Sequence, residues 1–444
     1  MSPRRDARTP AVPHVPVERF SLGCGALLLV SPRPGASVCA VQAHLRGGNS
    51  LDPRRKEGLA HLAGRLVDQG TREHSEEELA ELLEHAGGSL GGGSTGISGQ
   101  VANERWQLLL ESLCECLIGP TYPKDKIERQ KQRLIDRLEV ERDDPRVQGA
   151  QLFRTLVYGR HWLGRNEQGE PASVRAITRA DLVRFHKGQW CGKRMVLAFC
   201  GDVPPAEIKR FLDKRLARFP VGADLPPPDL EFPPLAPRAA VFAAERAQVH
   251  VFLGHLGIRR VHPDYAALTV MDHVLGTGPG FTNRISKRLR DELGLAYSVS
   301  AAIHSSAGVL PGMFTAYIGT SPKHLSTAIA GFRREIGRIQ RELVPAEELE
   351  LSKSYLTGSF VLGFERAARR VQTLVAAQRN NLPDDHLRQL LEAFAAVTAE
   401  DVRRVARAHL FPERSCLAVA GPVKESVVRG LASVRRRRSS SLSS

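Results

Sequence analysis

Aromatic residues are scarce, at 6% of 444 positions, so a base-stacking platform for single-stranded nucleic acid has little material. No stretch approaches the roughly 18 apolar residues of a membrane-spanning helix. "GALLLV" (25–30) is only strand length. The start, "MSPRRDARTPAVPHVPVERF", is basic but has no apolar segment behind it, so no secretory signal is expected. The seven cysteines (Cys24, Cys39, Cys114, Cys116, Cys191, Cys200 and Cys416) include no C-x-x-C pair, and "CEC" is poorly spaced for zinc. Buried, reduced thiols and a cytoplasmic location are the expectation. No G-K-[ST] is present, which leaves a P-loop reading without a signature.

What is present describes a globular chain without membrane character, 42% hydrophobic and 25% charged, long enough for two or more cores. Its net charge of +15 raises a nucleic-acid reading. The arginines are nevertheless spread along the chain and interleaved with glutamates. The one basic run is the tail, residues 435–444, "RRRRSSSLSS", read as solvated and disordered. A solvated basic surface, or one facing an acidic partner protein, is favoured over nucleic-acid recognition.

"FPVGADLPPPDLEFPPLAPRAA" (219–240) divides the chain almost in half, and its prolines favour an extended connection. The predicted organisation is therefore a domain at 1–219, a linker at 220–239, a second domain at 240–434 and the tail. Residues 176–203 align without gaps to residues 396–423, a displacement of 220, with nine of 28 positions identical. In both copies a threonine (Thr178, Thr398) stands three residues before an aspartate (Asp181, Asp401), as in a capping box, and a short apolar strand ends on Gly201 or Gly421. The halves are thus read as a duplication. Strands are expected at 25–31 and 37–46, in "AQVHVFLGHLG" and in "LAYSVSAAIH". Helices are expected from near Gly58, in "SEEELAELLEHAGG", "WQLLLESLCECLIG" and "PKDKIERQKQRLIDRLEVERDDP" (the last stopped by Pro145), and in "PDYAALTVMDHVLG" and "PAEELELSKSYLTGSFVLGF". The fold class is α+β.

Between about residues 15 and 425 the order of motifs resembles the insulinase/pitrilysin-like zinc metallopeptidases, the inverzincins, and among them the short two-domain bacterial and processing-peptidase-like members. "VQAHLRGGNSLDPRRKEGLAHLAGRLVDQGT", "ELLEHAGGSLGGGST", "IERQKQRLIDRLEVERDDP" and above all "VMDHVLGTGPGFTNRISKRLRDELGLAYSVSA" carry the likeness. The resemblance implies two homologous domains, each a mainly antiparallel sheet flanked by helices, facing each other across a substrate chamber.

Such peptidases need H-x-x-E-H and a later glutamate. Two imidazoles four residues apart lie about 40° apart around a helix and can share one Zn²⁺, while the glutamate moves the proton of the bound water. Here the motif reads H-L-A-G-R. His61 keeps the first ligand position. Gly64 stands at the general base, and Arg65 puts a guanidinium with no lone pair at the second ligand. Matching "LIDRL" to the third-ligand helix places Arg137 at the glutamate, and a slip of one residue would substitute Asp136. His74 and His85 are not spaced to help. No metal or other cofactor is expected in this chain, and His61 is read as a structural relic.

The second-domain segment keeps Arg290 and Tyr297, which the resemblance assigns to binding peptide and the developing oxyanion. The competing reading pairs Arg290 with a neighbouring carboxylate and packs Tyr297 in a strand. Asp291, adjacent on a helix, is the weaker candidate partner. "GTGPGFTN" (276–283) resembles a substrate-entrance loop and equally suits a plain turn. The resemblance implies a non-catalytic subunit in a heterodimer with a homologous H-x-x-E-H, zinc-bearing chain, acting on a peptide or unfolded polypeptide. Neither nucleic acid nor membrane is expected as a partner. The alternative is an inactive scaffold that binds peptides at the sheet edge near "GGSLGGGSTGISG", where the family's Asn-Ala grip is replaced by "GGGST". An active hydrolase with unrecognised residues is the third reading.

Overall fold

The computed structural model describes residues 16–279 and 283–432. The basic tail and the middle of "GTGPGFTN" lie outside the described residues. The chain forms two packing units. The first comprises residues up to Val140, Arg165–Asp229 and Leu356–Leu391, and the second comprises Glu141–Gly164, Leu230–Tyr355 and Glu392 onward.

The first unit is built on a six-stranded sheet. Its strands are β1 (Glu18–Ser21), β2 (Leu27–Pro32), β3 (Val38–Leu45), β4 (Ser89–Gly93), β5 (Gly96–Ala102) and β6 (Met195–Gly201), in the order β1-β2-β6-β3-β5-β4. Only β2 and β6 pair in parallel. Alternation along β6 sends Leu197 and Phe199 to one core, and Val196, Ala198 and Cys200 to another. Both faces are therefore covered, and β6 is buried along its whole length, as an uninterrupted apolar strand should be. One face carries α1 (Leu59–Arg65) and α3 (Trp106–Ile118), with α2 (Glu76–His85) and α4 (Lys124–Arg142) beside them. Ser75 and Glu78 form a capping box at the start of α2.

The second unit repeats the plan. Strands β7 (Arg238–Ala243), β8 (Val249–Leu256), β9 (Val299–Ala302), β10 (Met313–Thr320) and β11 (Cys416–Gly421) lie in the order β7-β11-β8-β10-β9, again with one parallel pair, β7 and β11. The order is that of β2-β6-β3-β5-β4. The repeated helices are Arg179–Gln189 and Ala399–His409, a displacement of 220 at both ends, and both capping boxes are present. Two homologous α+β units are thus what the duplication predicted.

The units are not simply the two sides of the proline-rich stretch, which has no regular structure between 220 and 237. Helix α5 (Pro145–Tyr158) belongs to the first half of the sequence but covers the second sheet. Phe153 stacks on Phe252 at 6.2 Å, and Gly149 leaves room for that ring. Helix Ala367–Arg379 belongs to the second half but covers the first sheet through Val371, Leu374 and Val375. These two helices are related by nearly the same 220-residue displacement. Each sheet needs its second apolar face buried, and each borrows the other half's copy of one helix to do it. Pro145 also has a role the sequence reading did not give it. Helix α4 ends at Arg142, and Pro145 opens α5 behind the Asp144 cap.

Candidate functional site

Helix α1 is only seven residues long and is fixed at both ends by its surroundings. Its N-cap, Gly58, is in the left-handed region (φ 94°), where glycine carries no steric penalty. The Asp52 carboxylate accepts the Gly58 N–H at 2.8 Å and the Ala60 N–H at 2.7 Å, satisfying two of the helix's open donors. Burial pushes the Asp52 carboxyl up to about 6 in spite of those bonds.

Gly64 is where the helix meets the sheet. A Cβ at this position would stand 1.9 Å from the Gly93 carbonyl oxygen and 2.3 Å from its carbon. A Cβ on Gly92 would likewise stand 2.1 Å from the Gly64 oxygen. Helix α1 and edge strand β4 thus touch backbone to backbone, glycine against glycine. The position of the general base has no room for a methyl group, still less for a carboxylate. This closeness also accounts for "GGG" in β4.

His61 lies one turn before Arg65 on the same helix and is partly buried. Burial lowers its titration to about 4, helped by the charges of Arg65 and Arg137 and opposed by Glu167. The imidazole is therefore neutral at neutral pH, beside two guanidinium groups. The charge of Arg137, on helix α4, bears on His61. Asp136 points elsewhere: it is exposed and accepts the Gln132 amide at 2.6 Å, one turn back. His74 bonds Glu115 at 2.9 Å, and His85 is exposed at the end of α2.

Glu167 escaped the sequence reading. It sits in a loop outside every motif, held where Asn49 donates to its carbonyl oxygen and where Gln168 lies against Gly58. No local pattern announces such a residue. Among the described residues, no set of three metal-ligating side chains with mutually close ligand atoms includes His61. One imidazole and one carboxylate beside two fixed cations do not fit a catalytic zinc site.

The titration of His61 has a consequence for stability. His44 and His186 in the same unit, and His255 in the other, are also lowered to about 4, chiefly by burial. An unfolded histidine titrates near 6.5, so between pH 6.5 and 4 the unfolded chain binds more protons than the folded one. Each group's contribution is complete above pH 6.5 and is lost as pH falls through 4. Urea denaturation is expected to show lower stability at pH 5 than at pH 7.5, by on the order of 1–2 kcal/mol per buried histidine. His61→Gln should remove its share of that slope. A flat profile would contradict the buried, neutral assignment.

The second unit presents the other candidate residues. Asn283 accepts the Ser286 N–H at 2.8 Å and donates to the Gly278 carbonyl at 2.9 Å, starting the segment that carries them. Arg284, 7% exposed, grips Glu348 through two hydrogen bonds of 2.9 and 2.8 Å. Residues Ser286–Glu292 wind as a π-helix, and there the pairing judged weaker from sequence is formed: Arg290 Nε bonds Asp291 Oδ1 at 2.9 Å. The neighbour rule assumed α-helical geometry, and the wider turn does not obey it. Tyr297 is 96% exposed at a bend before β9, so it does not pack in a strand. The strand expected in "LAYSVSAAIH" shortens to Val299–Ala302.

Residues 28–157 match the insulinase family, peptidase family M16, and residues 176–356 match the domain described as the peptidase M16 inactive domain. An uncharacterised zinc protease of Mycobacterium tuberculosis is 26% identical over 430 residues, covering 95% of this chain and 96% of the relative. A Helicobacter pylori protein named a non-peptidase homolog is 23% identical over 376 residues, covering 82% of this chain and 84% of its own. A crystal structure described as a peptidase M16 inactive domain from Pseudomonas fluorescens superposes with a TM-score of 0.86 at 23% identity, over 92% of this chain and 98% of that one.

Proposed function

The chain belongs to the insulinase family, peptidase family M16, and from that premise we propose that it is a non-catalytic member that completes the active site of a zinc-bearing partner chain. The observation that carries the reading is Gly64, whose Cβ direction is filled by the Gly93 carbonyl. The general base is absent and its space is occupied by backbone. The second ligand position carries Arg65, and the charges of Arg65 and Arg137 both bear on His61. The name of the Helicobacter relative, a non-peptidase homolog, agrees with such a role.

The second unit supports the other half of the proposal. Tyr297 is exposed, with a phenol able to donate to an oxyanion, and Arg290 lies close by in sequence on the preceding turn. The partner would bring H-x-x-E-H and zinc, and this chain would bring peptide-binding groups. The test is co-expression with H-x-x-E-H homologues of the same family, followed by cleavage of an unstructured peptide. A stable complex is expected whose turnover exceeds that of the partner alone, with no turnover by this chain alone. Cleavage by this chain in isolation, or a partner indifferent to it, would sink the reading.

A scaffold that only binds peptide is the second reading, and one observation favours it. Strand β4 is the edge of the first sheet, with no further strand beside it among the described residues. An extended peptide could add there by backbone hydrogen bonds. Peptide affinity without partner-dependent turnover would select this reading over the first. Among the described residues, no helix is long and apolar enough to cross a membrane.

A further inference from the structure

Within the second unit, the start of helix Tyr265–Asp272 meets the end of helix Ala399–His409 at three side chains, His262, Asp264 and His409. Asp264 Oδ2 lies 2.7 Å from His409 Nε2. His262 Nδ1 accepts the Asp264 N–H at 3.1 Å. The two imidazoles meet edge to face, 4.8 Å between centroids and 88° apart. One ligand atom from each of the three residues lies within 4.8 Å of the others, and all three are partly buried. We propose that His262, Asp264 and His409 bind one divalent transition-metal ion, for which zinc is the natural probe, and that the ion clamps the two helices together.

The donor set suits such an ion. Imidazole is the preferred ligand of zinc, copper and nickel, and a single carboxylate supplies the compensating negative charge. Pro263 fixes the backbone between His262 and Asp264, so two of the ligands come on one short, restricted stretch. The carboxylate is oriented from behind: Arg404 Nη1 donates to Asp264 Oδ1 at 2.8 Å and leaves Oδ2 facing His409. A hydrogen-bonded carboxylate of this kind is the usual support for a metal ligand.

Binding is an exchange. The ion takes the Oδ2 lone pair of Asp264 that now accepts from His409, the Nε2 proton of His409 passing to Nδ1 or to solvent as that nitrogen becomes a ligand, and the side chains open until each ligand atom stands about 2.0–2.2 Å from the metal. The Arg404 charge opposes the ion, which keeps the site weaker than a cage of three neutral ligands and one carboxylate would be. Three protein ligands leave at least one position for water. The role assigned is structural, a staple within one unit, and it is independent of the H-L-A-G-R motif.

The test uses the tag-free full chain, stripped with chelator and titrated with zinc chloride by calorimetry and in thermal melts. One equivalent should bind, with a rise in Tm. His262→Ala and His409→Ala should each weaken binding more than about 100-fold, beyond the loss expected for an orienting neighbour alone. His409→Gln, which can still donate a hydrogen bond to Asp264, should fold with unchanged circular dichroism and lose zinc equally. His61→Ala should keep the full equivalent. An absence of zinc binding by the unaltered chain, or zinc retained in all three His262 and His409 variants, overturns the proposal. Zinc lost with His61→Ala would also overturn it, and would move the metal to the degenerate motif.

Discussion

Replacing Gly64 with alanine should destabilise this protein by about 2–3 kcal/mol or more, although alanine is the better helix former. Helix propensity alone favours the change by about 1 kcal/mol. Against it stands a contact that no rotamer can relieve, because the obstructing atoms are the Gly93 carbonyl oxygen and carbon, at 1.9 and 2.3 Å from the new Cβ. Relief requires moving α1 off β4, which opens a seam in a core containing Leu62, Ala63, Leu66 and Val67. Overpacking of this kind typically costs 1–3 kcal/mol, more when backbone must shift. Urea melts of Gly64→Ala measure it directly. Rebuilding the motif with Gly64→Glu, Arg65→His and Arg137→Glu together should therefore lower stability further and give no peptidase. A triple variant that folds, holds zinc at His61 and cleaves peptide would show that the site lacks only its side chains.

That prediction rests on something the sequence shows only in part. The lost ligands were legible as residue types, since an arginine at a ligand position is a chemical statement wherever it sits. The reason for Gly64 was not. It depends on β4 lying against α1, a contact between segments nearly 30 residues apart that no local pattern declares. The duplication was legible because Thr178 and Asp181, and Thr398 and Asp401, are local patterns that cap helices by themselves. The exchange of α5 and helix Ala367–Arg379 between the two sheets was not, since an amphipathic helix does not declare which sheet it will cover. Glu167 reaches His61 through a loop, and its placement follows from tertiary packing against Gly58. The π-helical turn at Ser286–Glu292 likewise defeated a rule drawn from α-helix geometry.

In a complex with an H-x-x-E-H partner, Tyr297→Phe should lower kcat by about 10²-fold, with little change in KM and almost none in the stability of this chain. The separation follows from exposure. At 96% exposed, Tyr297 buries nothing that folding needs, and surface changes of this kind stay within about 0.5 kcal/mol. A donor aimed at an oxyanion works only when charge develops, and removing one typically costs 10²–10³ in kcat. Arg290 should behave differently. Its guanidinium is held by Asp291 through Nε, so it is presented as half of an ion pair. Arg290→Ala should raise KM for peptide substrates, because a fork that binds a carbonyl or carboxylate binds it in the ground state as well. Asp291→Asn should keep the fork but loosen its orientation and give a smaller effect of the same sign. If Tyr297→Phe and Arg290→Ala both leave turnover of a defined complex unchanged, the shared-site reading fails. If they weaken peptide binding to the isolated chain while the partner's turnover stays constant, the exposed tyrosine belongs to a peptide-binding scaffold instead.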